Sequence, residues 1–269
     1  MVRVAVFGAA GRMGSEVCRA VSDAPDLELV GAVDPTAAGV ELAKVAGVTE
    51  DLTICAHPSE MPTRPDVAVD FTIAEAALVN VDWCIANNVH SVVGTSGLTA
   101  QQIEVIRTSI DATGRETGVL IAANFAIGAV LLMEFSRMAA QLMPEAEIIE
   151  LHHPGKKDAP SGTAIKTAEA IREGHAIADV SPAASPGAES EIIKGARGAE
   201  RDTVHIHSVR LPGLVAHQEV IFGGQGQILS IRHDSIDRTS FMPGVLLAVR
   251  QIPKHPGLTV GLEHFIELW

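Results

Sequence analysis

From Glu150 to Thr163 the chain reads E-L-H-H-P-G-K-K-D-A-P-S-G-T, which sets carboxylate, imidazole, ammonium and hydroxyl groups within one short stretch. Such a set suits an anionic substrate and a proton transfer, because an imidazole titrates near neutral pH and ammonium or backbone N–H donors can hold carboxylates. His152 and His153 are adjacent, so on a strand their side chains face opposite ways and do different jobs. Ser161, Gly162 and Thr163 offer hydroxyl and backbone donors at a helix start, where the dipole favours an anion, and Lys156 or Lys157 supplies charge. His152, His153 and Asp158 are also metal-ligand types, and His205 and His207 share one strand face. Lysines crowd the first group and the second has no third ligand near it in sequence, so no metal is expected.

A second signature opens the chain. Val2–Phe7 is an apolar run that breaks into Gly8-Ala9-Ala10-Gly11-Arg12-Met13-Gly14, the pattern of a strand turning into a dinucleotide-binding helix. Asp34 closes the next apolar run, where a carboxylate can accept from adenosine ribose hydroxyls. It should repel a 2′-phosphate, and Arg12 is the only nearby cation to offset it, so NADH is expected to serve at least as well as NADPH. Gly94-Thr95-Ser96-Gly97 and Ala122-Ala123-Asn124-Phe125 also follow strand-like runs, at the carboxyl ends that line a ligand crevice in a parallel sheet.

The elements that must position these groups follow from hydrophobic periodicity. Strands near Val2–Phe7, Leu27–Val33, Val67–Phe71, Ser91–Val93 and Val119–Ala122 alternate with helical patterns, which implies a parallel sheet with crossover helices. In the first helix Met13, Val17, Ala20 and Val21 form the expected buried stripe, and Thr99 with Gln102 makes a capping box ahead of another helix. After an apolar helix over Ile127–Met143, a strand at Glu147–His152 delivers the histidine loop, and Ser161-Gly162-Thr163 opens a helix to about Glu173. Residues 176–191 read as a surface excursion, and Val204–Arg210, Ala216–Phe222 and Gln227–His233 as successive antiparallel strands. A helix over Thr239–Gln251 and a short strand from Leu258 close the chain. The expected architecture is α/β: a Rossmann-type, doubly wound parallel dinucleotide-binding domain from 1–125 and 241–269, with an inserted mixed α+β substrate-binding and oligomerisation domain at 126–240.

A formal charge of −13 argues against nucleic-acid or anionic-membrane partners. No apolar run is long enough to span a bilayer, and Val2–Phe7 passes straight into the glycine loop, so a cytoplasmic location is expected. Cys18, Cys55 and Cys84 lack CxxC spacing and read as small core residues.

The chain resembles the dihydrodipicolinate reductase (4-hydroxy-tetrahydrodipicolinate reductase) family of the diaminopimelate and lysine pathway. The resemblance covers essentially the whole length. It rests on G-A-A-G-R-M-G at Gly8–Gly14, D-F-T at Asp70–Thr72, G-T-S-G at Gly94–Gly97, A-A-N-F at Ala122–Phe125, and above all on Glu150–Ala164. G-A-R-G at Gly195–Gly198 and the run His233–Phe241 also match. The resemblance implies that His152 donates or accepts the proton, that Lys156 is a second proton donor, and that His153, Gly162 and Thr163 hold the substrate carboxylates. It assigns Gly8, Ala9, Ala10, Gly11, Arg12, Met13, Asp34, Gly94, Thr95, Ser96, Ala122, Ala123, Asn124 and Phe125 to the nicotinamide cofactor. It further implies hydride transfer to C4 of a small dicarboxylate ring and a homotetramer assembled through sheets of the second domain. An amino-acid dehydrogenase with the same cofactor half, or a non-catalytic dinucleotide sensor, are the alternatives.

Overall fold

The computed structural model describes residues 1–95, 97–114, 116–182 and 191–266. The chain forms two compact units, Met1–Phe125 together with the chain from Phe241 onward, and Ala126–Ser240.

The first unit is built on β1 (Val2–Phe7), β2 (Leu27–Val33), β3 (Val67–Asp70), β4 (His90–Val93), β5 (Gly118–Ile121) and, from the returning chain, β11 (Gly257–Val260). They lie in the order β11-β5-β4-β3-β1-β2, all parallel. Four of them are short and wholly buried or nearly so, which is why they read as unbroken apolar runs rather than as alternating ones. Their connections are α1 (Arg12–Ser22), α2 (Leu42–Ala46), α3 (Ala74–Asn87) and α4 (Ala100–Thr113), with α7 (Met242–Gln251) leading into β11. The strand order reverses between β1 and β3, the switch point at which such sheets bind ligands.

Local chemistry sets these helices. Thr99 Oγ1 accepts from Gln102 N at 3.2 Å while Gln102 Oε1 accepts from Thr99 N at 2.8 Å, so the expected capping box opens α4. The buried stripe of α1 is Gly14, Val17, Cys18 and Val21, one step round from the expected set; Met13 and Ala20 stay half-buried. The shift follows from Gly14, where a Cβ would meet the Gly8 carbonyl oxygen at 2.0 Å, so the helix lies directly on the loop that starts it. Cys18 and Cys84 are buried as expected, whereas Cys55 is only half-buried.

The second unit carries α5 (Ile127–Ala139), β6 (Glu145–His152), α6 (Gly162–Ala178), β7 (Ala199–Arg201), β8 (Val204–Arg210), β9 (Ala216–Gly224) and β10 (Gln227–Ser235). The sheet order is β10-β9-β6-β8-β7. This corrects the expected meander: β8 and β9 are not neighbours, because β6 lies between them, parallel to β8 and antiparallel to β9. β6 alternates core and open-face side chains and can satisfy both edges, so it takes the centre. Ile148, Val204, Ile206, Val220 and Phe222 pack with Leu132 and Ala140 near α5 and with Ala164, Ala168 and Ile171 of α6. α5 ends at Ala139 rather than Met143, and α6 runs on to Ala178 before Asp179 stops it in a left-handed conformation (φ 53°). Of the expected surface excursion, residues 176–178 therefore belong to α6, and residues 183–190 lie outside the described residues.

Candidate active site

In the first unit the glycine loop joins β1 to α1. Gly8 takes φ +76°, and a Cβ there would meet the Phe71 carbonyl oxygen at 2.9 Å, so only glycine lets the loop pass the end of β3. Gly11 is the N-cap of α1 and has no side chain to cap it, which leaves the first-turn N–H groups of α1 without an intrahelical or side-chain partner. An uncapped helix start lying on a loop that requires glycine at Gly8 fits a pyrophosphate. Asp34, almost buried at the end of β2, accepts from Ala10 N at 3.0 Å, from Thr36 N at 3.0 Å and from Thr36 Oγ1 at 2.7 Å. It thus ties the glycine loop to the β2 turn and holds its carboxylate fixed. Ala9 is buried, Ala10 and Met13 are half-buried, and Gly11 and Arg12 are exposed.

The remaining candidates of this unit follow β4 and β5. Gly94 packs against the Phe71 ring so closely that a Cβ would meet its Cε1 at 2.2 Å, and Phe71 in turn lies 5.7 Å from the Phe125 ring. Thr95 is buried, Ala122 and Phe125 are buried, Asn124 is half-buried and Ala123 is exposed. Ser96 lies outside the described residues.

In the second unit His152 ends β6 and His153 stands just beyond it, exposed. Glu150 lies two residues before His152 on the same strand face, fully buried, and holds His152 Nδ1. Arg210, at the end of β8, donates to both Glu150 oxygens at 2.8 and 2.9 Å. Burial raises the Glu150 carboxyl, but the bonds from His152, Arg210 and Ser208 outweigh it and hold the group at about 2, so it is ionised. With Nδ1 committed to a carboxylate, Nε2 is the nitrogen through which the His152 ring exchanges a proton.

Beyond His152 the chain turns, with Lys156 N donating to the His153 carbonyl at 3.1 Å. Lys156 Nζ is held by both Asp158 oxygens at 2.8 and 2.9 Å, which lowers the Asp158 carboxyl, while Lys157 is exposed. Ser161 caps α6, its Oγ accepting from Ala164 N at 3.2 Å and its own N–H donating to Glu150 at 3.3 Å. The Ser161 side chain is buried and serves the helix, so the accessible part of this turn is Gly162, around which a Cβ would meet nothing within 4 Å, with half-buried Thr163 beside it. The structure thus gathers His152, Lys156, Ser161 and Gly162 around Glu150 and Arg210.

Sequence reasoning assigned no role to Glu150 or Arg210. Glu150 carried a signal, its i, i+2 spacing from His152. Arg210 carried none, because its place beside β6 comes from a parallel pairing that sets His152 opposite Arg210. His207, weighed as a metal ligand, bonds Glu147 at 2.7 Å instead, and among the described residues no group of three His, Cys, Asp or Glu side chains is placed to hold a metal. No helix of the described residues is long and apolar enough to cross a membrane.

A doubly wound parallel sheet with a glycine cradle at its switch point, and a second mixed sheet bearing a carboxylate-held histidine, define a Rossmann-type oxidoreductase. The family model described as dihydrodipicolinate reductase, N-terminus, matches residues 2–125, and the one described as dihydrodipicolinate reductase, C-terminus, matches residues 128–266. The chain belongs to the dihydrodipicolinate reductase family. It is 50% identical over 267 residues to the 4-hydroxy-tetrahydrodipicolinate reductase of Nocardia farcinica, covering 99% of each chain. The dihydrodipicolinate reductase of Paenisporosarcina sp. TG-14, solved with dipicolinate bound, superposes with a TM-score of 0.84 at 40% identity over 99% of this chain and 100% of that one. An amine dehydrogenase from Mycobacterium smegmatis has a TM-score of 0.68 at 14% identity over 100% of this chain and 97% of that one, and shares the fold alone.

Proposed function

We propose that this oxidoreductase reduces 4-hydroxy-tetrahydrodipicolinate (dihydrodipicolinate) to tetrahydrodipicolinate in diaminopimelate and lysine biosynthesis, using NADH or NADPH. The observation that carries the chemistry is the Glu150–His152 pair at the head of the loop that bears Lys156 and leads to the α6 N-terminus.

Gly8–Met13, Asp34, Gly94–Ser96 and Ala122–Phe125 are the residues that hold the dinucleotide. When bound, the reduced nicotinamide supplies the hydride for C4 of the substrate ring. His152 delivers the proton that the reduced ring needs at carbon, through Nε2, with Glu150 supporting the charged ring. Lys156, steadied by Asp158, is a second proton donor. His153, Gly162 and Thr163 take the two carboxylates, aided by the positive end of α6, and Ser161 shapes that turn. The substrate is a small dicarboxylate.

NADH serves at least as well as NADPH in this reading, because the fixed Asp34 carboxylate would repel a 2′-phosphate and Pro35-Thr36 brings no cation beside it. Assembly as a homotetramer is part of the same reading. One face of the second-unit sheet is covered by α5 and α6 side chains, and the other presents the partly buried apolar groups Ile149, Leu151 and Ile221.

The test is oxidation of NADH and of NADPH, followed by absorbance, with substrate generated in situ from pyruvate and aspartate semialdehyde by the upstream synthase. Rapid oxidation that collapses in His152→Ala and Lys156→Ala is expected. No oxidation with either cofactor would overturn the reading. Asp34→Ser should shift the NADPH-to-NADH ratio of kcat/KM upward by about tenfold, the effect of relieving one unfavourable charge contact worth about 1.4 kcal/mol.

A further inference from the structure

The two proton-handling groups of the proposed reaction are tied to a single guanidinium. Arg210 Nη1 and Nη2 donate to Glu150 Oε2 and Oε1 at 2.9 and 2.8 Å, and Glu150 holds His152 Nδ1. The same Nη2 donates to the Asp158 carbonyl at 2.8 Å, and the Asp158 carboxylate holds Lys156 Nζ at 2.8 and 2.9 Å. Nη1 completes its set on the Val209 carbonyl at 2.8 Å. One planar fork on β8 therefore reaches the strand that carries the histidine and the loop that carries the lysine. A lysine at this position would keep the charge and lose the two-armed geometry.

We infer that Glu150 and Arg210 are positioning residues for proton delivery, Glu150 fixing the His152 ring with Nδ1 protonated and Arg210 holding Glu150 and the Lys156 loop in register. Glu150 and Arg210 cancel each other's charge, as do Lys156 and Asp158, so the proton gained by His152 is the one uncompensated charge among them. The carboxylate on Nδ1 supports it directly. An ion pair of which only Glu150 is fully buried adds little net stability by itself, so its placement beneath the imidazole has its consequence chiefly in orientation. Ser208, in register with Glu150 across the β6–β8 ladder, adds a further bond that keeps Glu150 ionised.

The inference rests on His152 acting in the proposed reduction, and the experiment separates the two. Full-length wild type, Arg210→Lys, Glu150→Asp and Glu150→Gln are compared by thermal melting, steady-state kinetics against pH, and 15N NMR of the His152 ring without ligands. In the folded variants kcat falls about 10- to 100-fold, the range known for partners that orient metal-ligating histidines, with a smaller change in KM for the substrate. In Glu150→Gln the basic limb of kcat/KM against pH no longer coincides with that of wild type, a change that a merely structural role would not produce. The NMR shows Nδ1 protonated and Nε2 bare in neutral wild type, and a tautomer mixture in Glu150→Gln. Variants that melt cooperatively and retain wild-type kcat, pH limb and tautomer would overturn the inference. So would an Nε2-protonated neutral ring in wild type, a reading that needs no variant to fold. Absence of reductase turnover in wild type would sink the proposed function, while the tautomer still decides the positioning.

Discussion

Thr95 Oγ1 donates to Asp70 Oδ1 at 3.0 Å, and this bond joins the loops that follow β3 and β4. Asp70 is buried, and it also accepts from Thr72 N at 2.8 Å, Thr72 Oγ1 at 2.6 Å and Asn80 Nδ2 at 2.7 Å, so one carboxylate organises two loops and a helix. Thr95→Val keeps the shape and removes the hydroxyl. It should lower stability by about 1.5–3 kcal/mol in urea denaturation, the worth of a buried hydrogen bond to a charged group. Because the Gly94–Thr95 turn loosens, KM for the dinucleotide rises more than kcat falls, which initial-rate kinetics at varied cofactor will show.

Gly14→Ala tests the contact between α1 and its own loop. The new methyl would meet the Gly8 carbonyl oxygen at 2.0 Å and its carbon at 2.7 Å, both backbone atoms that cannot turn aside. The helix start must shift, at about 1–3 kcal/mol, the cost of overpacking. Dinucleotide binding, followed by calorimetry, should weaken by more than the loss of stability accounts for, since the first-turn N–H groups move with the helix.

His90 gives the first unit a pH dependence of known sign. Its Nδ1 accepts from Gly118 N at 3.0 Å across β4 and β5, and burial lowers its pKa below the usual histidine value. The unfolded chain therefore binds the proton more readily, and the stability contribution, present above the unfolded pKa of about 6.5, is lost as pH falls below it. Urea midpoints of wild type should drop between about pH 7.5 and 5.5, and His90→Asn, which can still accept from Gly118, should show a shallower drop.

Glu150 gives the second unit an acid limb of the same sign at lower pH. Burial pushes its carboxyl up, but the bonds from His152 and Arg210 outweigh it and hold the group at about 2, below the usual glutamate range. Its contribution is full above the unfolded value and is lost as pH falls toward 2. Glu150→Gln leaves the partly exposed Arg210 beside an uncharged partner and should cost about 2 kcal/mol near neutrality, the worth of a hydrogen bond to a charged group. The gap between wild type and variant should narrow between about pH 4.5 and 3 in chemical denaturation.

Features set by neighbouring residues were legible in the sequence. The glycine loop, the Thr99–Gln102 box and the start of α6 at Ser161 each rest on chemistry within one turn of chain, and each forms where the residues place it. The α1 stripe was misplaced by one position because Gly14 packs by having no side chain, which a hydrophobic pattern does not register. The order of the second sheet was not legible at all. Adjacent strands joined by Pro212-Gly213 look like a hairpin, yet β6, formed far earlier in the chain, takes the place between them. Arg210 falls under the same rule: its partner is fixed by sheet register, and nothing around it in sequence points to Glu150.

The chain leaves the first unit at Phe125 and returns at Phe241, so β5, beginning at Gly118, gains its outer neighbour β11 only at Gly257. During synthesis the cofactor-type sheet emerges first but stays open along β5 until the inserted unit has been made in full. That exposed edge is a template for strand pairing in the interval. The strand that covers β5 is thus made after the whole inserted unit, and the nascent chain has reason to fold its middle before it finishes its beginning.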